Sequence, residues 1–160
     1  EAEIERILTV PDGRRSNIED VWLYLHLMFE LIWRYRFFYR DLNDLLSRNR
    51  KLELHFKLIL AHKIKVATQL CEDLRSEQSL EASDMEVAAM ATNMVVVATY
   101  WLSYEYVRNP RKYSEQQSMS DALARGCYQV LSLIGPYLRN ETHLLFRKLS
   151  EEYVTKLKND

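Results

Sequence analysis

The run Glu30-Leu31-Ile32-Trp33-Arg34-Tyr35-Arg36-Phe37-Phe38-Tyr39-Arg40-Asp41-Leu42 constrains the chain most, because it closes a helix already apolar on most of its faces. Counting back from it, Tyr35, Ile32, Met28, Leu25, Trp22 and Ile18 recur at steps of three and four, and Phe38, Leu31, Leu27 and Tyr24 fill a second stripe. Glu19, His26, Glu30 and Arg34 form a thin polar line, in which Glu30 and Arg34 stand one turn apart and within pairing reach. A helix with so narrow a polar edge has to be surrounded by other helices. Large aromatics also stand where leucine would fill the space, so the stretch either packs a thick core or lines a cavity.

The rest of the chain reads as those surrounding helices. Three glycines and three prolines among 160 residues, 48% of them hydrophobic, disfavour a turn-rich β architecture, and the length suits one domain with a sizeable core. A first helix over 1–10 breaks at Pro11-Asp12-Gly13. Ser16 with Glu19 reads as a capping box that opens a helix over 17–39, and Ser83 with Glu86 opens another over 83–108, which stops before Asn109-Pro110. Further helices are predicted over 41–48, 51–76, 118–138 (with Ser118 and Asp121 as caps) and from Asn140 onward. No stretch alternates strictly enough to argue for strands, so the fold class is all-α.

The 83–108 helix carries no charge between Val87 and Tyr104, about the length of a membrane span. Thr92, Asn93, Thr99 and Ser103 within it, and charged amphipathic helices on either side, favour a core helix and no membrane. Its faces differ. Met90, Met94, Val97, Trp101 and Tyr104 form a stripe of large, adaptable residues. Ala88, Ala91, Val95, Ala98 and Leu102 form a narrow one, and Ala122 and Gly126, with Val130, repeat the small spacing on the following helix. Two consecutive close-approach stripes predict a four-helix homodimer interface built on these eight narrow-stripe residues. Ordinary packing within the chain accounts for the same spacing.

Chemistry-bearing constellations are sparse. The formal net charge of −1 argues against a nucleic-acid surface in this segment. Cys71 and Cys127 read as two reduced thiols in a cytoplasmic protein rather than a disulfide scaffold. None of His26, His55, His62 and His143 follows a glutamate at three residues, neither cysteine has a metal-ligand neighbour, and Gly13, Gly126 and Gly135 build no phosphate loop. Enzyme function is disfavoured, and no cofactor or metal is expected, although a haem held by His26, His55 or His62 is a third reading. Arg34, Arg36 and Arg40 read as a salt-bridged rim with Glu30, Asp41 and Asp44.

The element order and the run Phe29 to Leu42 resemble the C-terminal regulatory domain of TetR-family bacterial transcriptional regulators, in the subgroup that carries a similar F-E-x-I-W-R-Y-R-F-x-Y-R-D-L run. The resemblance continues through Leu45-Leu46-Ser47-Arg48-Asn49 and Tyr100-Trp101-Leu102-Ser103-Tyr104, and covers essentially the whole chain. It implies an orthogonal bundle of about six helices. Residues 1–10 would be the tail of a helix connecting to a DNA-binding domain that these residues do not contain, and 11–160 an effector-binding and dimerisation domain. Operator DNA would then be reached only through that N-terminal domain. The resemblance also implies a small apolar or aromatic effector held among the central helices, for which Trp22, Phe29, Trp33, His62, Met90, Asn93, Met94 and Trp101 are the expected lining. The aromatics and methionines would supply apolar area, with His62 and Asn93 as orienting polar groups. The competing expectation is a stand-alone helical protein–protein interaction module without a small-molecule pocket.

Overall fold

The structure, a computed structural model, describes residues 16–111 and 116–158, with backbone alone at 116–119 and 152–158. Among the described residues seven α-helices follow one another: α1 (Ile18–Arg34), α2 (Arg36–Arg40), α3 (Leu42–Arg48), α4 (Arg50–Ser76), α5 (Asp84–Arg108), α6 (Gln116–Ile134) and α7 (Asn140–Lys158). A short 3-10 turn, Gly135–Tyr137, joins the last two. Among the described residues there is no strand, and the fold is an all-α bundle. The expected helix over 1–10 and its break lie outside the described residues.

The capping box of α1 sits one residue later than expected. Asn17 accepts from the Asp20 N–H and the Asp20 carboxylate accepts from the Asn17 N–H, each at 2.9 Å. Ser16 is otherwise engaged: it is buried, and its N–H donates to Asp73 Oδ2 on α4 at 3.1 Å. Asp73 accepts Gln69 Nε2 on its other oxygen at 2.8 Å, so the entry of α1 is pinned to α4 through a satisfied carboxylate. The Ser83–Glu86 box of α5 forms as expected. The third capping expectation, Ser118 with Asp121, fails, since both residues lie inside α6, which already includes Gln116.

The predicted 17–39 helix is divided. Tyr35 (φ −102°, ψ 26°) ends α1, and Asp41 (φ −102°, ψ 18°) separates α2 from α3. Neither break carries a glycine or proline. Their effect is to turn α2 so that Tyr39 and Leu42 are buried while Phe37 faces out. The arginines of this run lie on the rings, Arg36 over Trp33 and Phe37 at 5.3 and 4.7 Å and Arg40 over Phe37 and Tyr106 at 5.5 and 5.7 Å. Arg40 also pairs with Asp41 at 2.6 Å, and Arg48 with Asp44 at 2.9 Å. The rim is therefore part salt bridge and part cation–π.

Helix α5 is the axis of the bundle, with α4 against one side, α6 against another and α2 near its C-terminal end. Small residues make these approaches possible. Ala67, Ala91 and Val95 form one buried cluster with Leu60 and Ile64, so α4 and α5 lie side by side and antiparallel. On the α6 side, Trp101 Nε1 donates to the Ala122 carbonyl at 2.7 Å, and Gly126 lies against the rings of Phe29 and Trp101. Although α5 is long and apolar enough to cross a membrane, half of that stretch is buried inside the chain.

This packing accounts for the expected close-approach residues within the chain. Ala91, Val95, Ala98, Leu102, Ala122, Gly126 and Val130 are buried in the chain's own core, and of the eight only Ala88 is exposed. A residue already enclosed by its own chain has no surface left for a second copy. The small stripes bring α4, α5 and α6 together within one protomer.

At the end of α5, buried Glu105 receives Arg125 from α6 in a two-point pair (2.7 and 3.2 Å), with Arg108 at 3.6 Å. Arg125→Leu is expected to cost about 1–3 kcal/mol in urea unfolding. That is less than a fully buried broken pair would cost, because Arg125 is a quarter exposed and Arg108 stays nearby. No loss of stability would show that the pair is not holding α5 to α6.

Candidate functional site

Six of the eight expected pocket residues belong to one core. Phe29 on α1 and Met90, Met94 and Trp101 on α5 are buried there, and Trp22 and Trp33 pack half-buried against it. The other two do not. His62 on α4 and Asn93 on α5 are exposed, which corrects their assignment as orienting groups. On α4 the buried positions are Phe56, Lys63, Val66, Ala67 and Leu70, and His62 falls outside that arc. On α5 they are Met90, Ala91, Met94, Val95 and Ala98, and Asn93 points away from them.

The core instead encloses polar groups that were not expected. Trp22 Nε1, Tyr24 OH and Thr99 Oγ1 are buried without a hydrogen-bond partner among the described residues. Each such group costs about 1–3 kcal/mol relative to a satisfied one, so three in one core need a reason. Lys63, only 2% exposed, points inward from α4. Its Nζ donates to the Tyr39 hydroxyl at 3.2 Å and stands 5.2 Å from the centre of that ring. Burial pulls the Lys63 ammonium down to about 8 from its ordinary 10.5 and pushes the Tyr39 phenol up to about 12. Around them, Phe38, Tyr39 and Phe56 meet edge to face, with centroids 5.5 to 6.2 Å apart. A charged residue on the apolar stripe of residues 51–76 was the sequence signal for Lys63.

The remaining chemistry-bearing side chains have quieter surroundings. Burial pushes the thiols of Cys71 and Cys127 up to about 11 and about 12, which keeps them protonated and unreactive. His26 Nδ1 lies 3.1 Å from the Trp22 carbonyl and 3.6 Å from Cys127 Sγ, and its ring stacks 3.9 Å from Trp22. His55 and His62 are exposed. Among the described residues no three His, Cys, Asp or Glu side chains are grouped to hold a metal ion. An open groove of about 610 Å³ runs between α6 and α7, past Tyr128, Ser132, Pro136, His143 and Phe146, and none of the expected pocket residues lines it.

A sequence profile of the TetR family, described as a bacterial transcriptional repressor, matches residues 1–146, and the chain belongs to that family. Its structure is similar to that of a TetR-family transcriptional regulator from Marinobacter aquaeolei VT8, with a TM-score of 0.80 and 26% identity, over 95% of this chain and 70% of the other. No curated protein matches the chain.

Proposed function

We propose that residues 11–160 are the effector-sensing and dimerising domain of a TetR-type repressor, and that residues 1–10 lead to DNA-binding heads outside this chain. The effector is a small molecule with apolar or aromatic character, bound in the core between α1, α2, α4 and α5. The observation that carries this reading is the combination of a Met- and aromatic-rich core with buried polar groups that have no partner among the described residues. A ligand supplying complementary atoms would satisfy them and would stabilise whichever spacing of the heads accommodates it. Regulation then follows from the ligand's preference for the spacing that does not fit the operator. Dimerisation is assigned to the outward faces of α6 and α7, because the small-residue stripes are used within the protomer and the groove between these helices is open.

Native mass spectrometry of the chain tests both parts. A dimer carrying a small apolar adduct is the expected result, and a clean monomer favours the protein-interaction module. Trp33 separates pocket from core. It is half-buried, beneath Arg36, so Trp33→Ala is expected to weaken effector binding about tenfold while leaving a folded dimer. Loss of folding with no separable effect on binding would make Trp33 a core residue instead.

A further inference from the structure

Lys63 is a buried cation with an incomplete set of partners. Of its three ammonium hydrogens, the one with a protein acceptor goes to the neutral Tyr39 hydroxyl, and no carboxylate faces it among the described residues. A buried ammonium without a counter-charge is disfavoured by several kcal/mol, which its lowered pKa of about 8 reflects. The polar side chains around it carry hydroxyl donors. Tyr39 is held from both ends, its hydroxyl by Lys63 on α4 and its carbonyl by Ser103 Oγ on α5 at 3.3 Å. Thr99 stands one turn before Ser103, whose hydroxyl reaches Tyr39 on α2, and its own buried hydroxyl has no partner among the described residues. Beside these donors lie Phe38 and Phe56, which offer apolar area for a body. Tyr39 itself rides on the five-residue α2, between off-helix residues Tyr35 and Asp41.

We propose that Lys63 is the anion-binding group of the effector site and that the effector is an apolar carboxylate, its head group received by Lys63 Nζ, the Tyr39 hydroxyl and Thr99. This rests on the effector-sensing reading above and names the ligand class for it. A carboxylate supplies the missing counter-charge and accepts the open ammonium, phenol and threonine hydrogens. An alcohol or ketone of the same shape supplies at most a neutral acceptor.

Matched pairs test it: decanoate against decanol, and 3-phenylpropionate against 3-phenylpropanol, titrated into the whole chain by calorimetry. The expected result is that in at least one pair the acid binds about tenfold or more tightly than its alcohol. That preference disappears in Lys63→Met, whose fold is checked by circular dichroism, and shrinks in Tyr39→Phe, which keeps the ring. Equal binding of acid and alcohol, or a preference that survives Lys63→Met, overturns the assignment and leaves the effector reading standing. No binding by either series also overturns the assignment. Only when it is joined by a clean monomer in native mass spectrometry does the effector reading fall with it.

Discussion

Gly126→Leu is expected to destabilise the protein by about 3 kcal/mol or more, with a midpoint in urea that varies with protein concentration no more than the parent's does. A Cβ at Gly126 would stand 2.7 Å from two ring atoms of Phe29 and 2.8 Å from Cδ1 of Trp101. Both rings are buried, and Trp101 is tied to the Ala122 carbonyl one turn earlier on the same helix, so neither can withdraw cheaply. Gly126→Ala meets the same rings with a single methyl. It should lose less, because alanine returns about 1 kcal/mol of helix propensity. The concentration dependence decides between the two roles of the small stripe. A midpoint that falls more steeply with dilution in the variant than in the parent would place Gly126 at a subunit interface.

That ambiguity marks how far the residue pattern could be read. A small residue at helical spacing says that something approaches closely; it does not say whether the neighbour belongs to the same chain. Ala91, Val95 and Gly126 were therefore recognised as close-approach positions, and within the chain the neighbours that approach them are α4, Phe29 and Trp101. Periodicity did place Met90, Met94 and Trp101 on one stripe, and all three are buried in the core, because burial of large apolar residues follows helix phase directly. The breaks at Tyr35 and Asp41 were invisible, since no glycine or proline marks them and the turn is set by where Tyr39 and Leu42 find cover. His62 and Asn93 were chosen for their chemistry rather than their phase. Phase points to the next residue along, Lys63, and to Thr99, and a lysine on an apolar stripe is ordinarily read as a chain whose end reaches solvent. Only the packing of α2 over α4 shows that it does not.

Lys63→Met is expected to make the ligand-free protein more stable by about 3 kcal/mol at pH 7, an unusual gain for a core substitution. The sign follows from linkage. The native ammonium titrates at about 8 and the unfolded one near 10.5, so between these values the unfolded state holds more protons and stability rises with pH. Below about pH 8 both states are protonated and the full cost of burying the charge is present; above about 10.5 both are neutral and it is gone. Tyr39, Cys71 and Cys127 act oppositely, because their raised values make the folded state lose stability as pH climbs past 9 to 10. The difference between parent and Lys63→Met removes that shared background. It should be largest at pH 7, shrink from about pH 8 and vanish near pH 10.5, in urea unfolding followed across this range. A methionine variant less stable than the parent at pH 7 would mean that Lys63 has a counter-charge after all. A stabilised variant that no longer prefers acids over alcohols would show why the chain keeps a cation where an apolar side chain packs better: the free domain carries a charge whose partner arrives with the ligand.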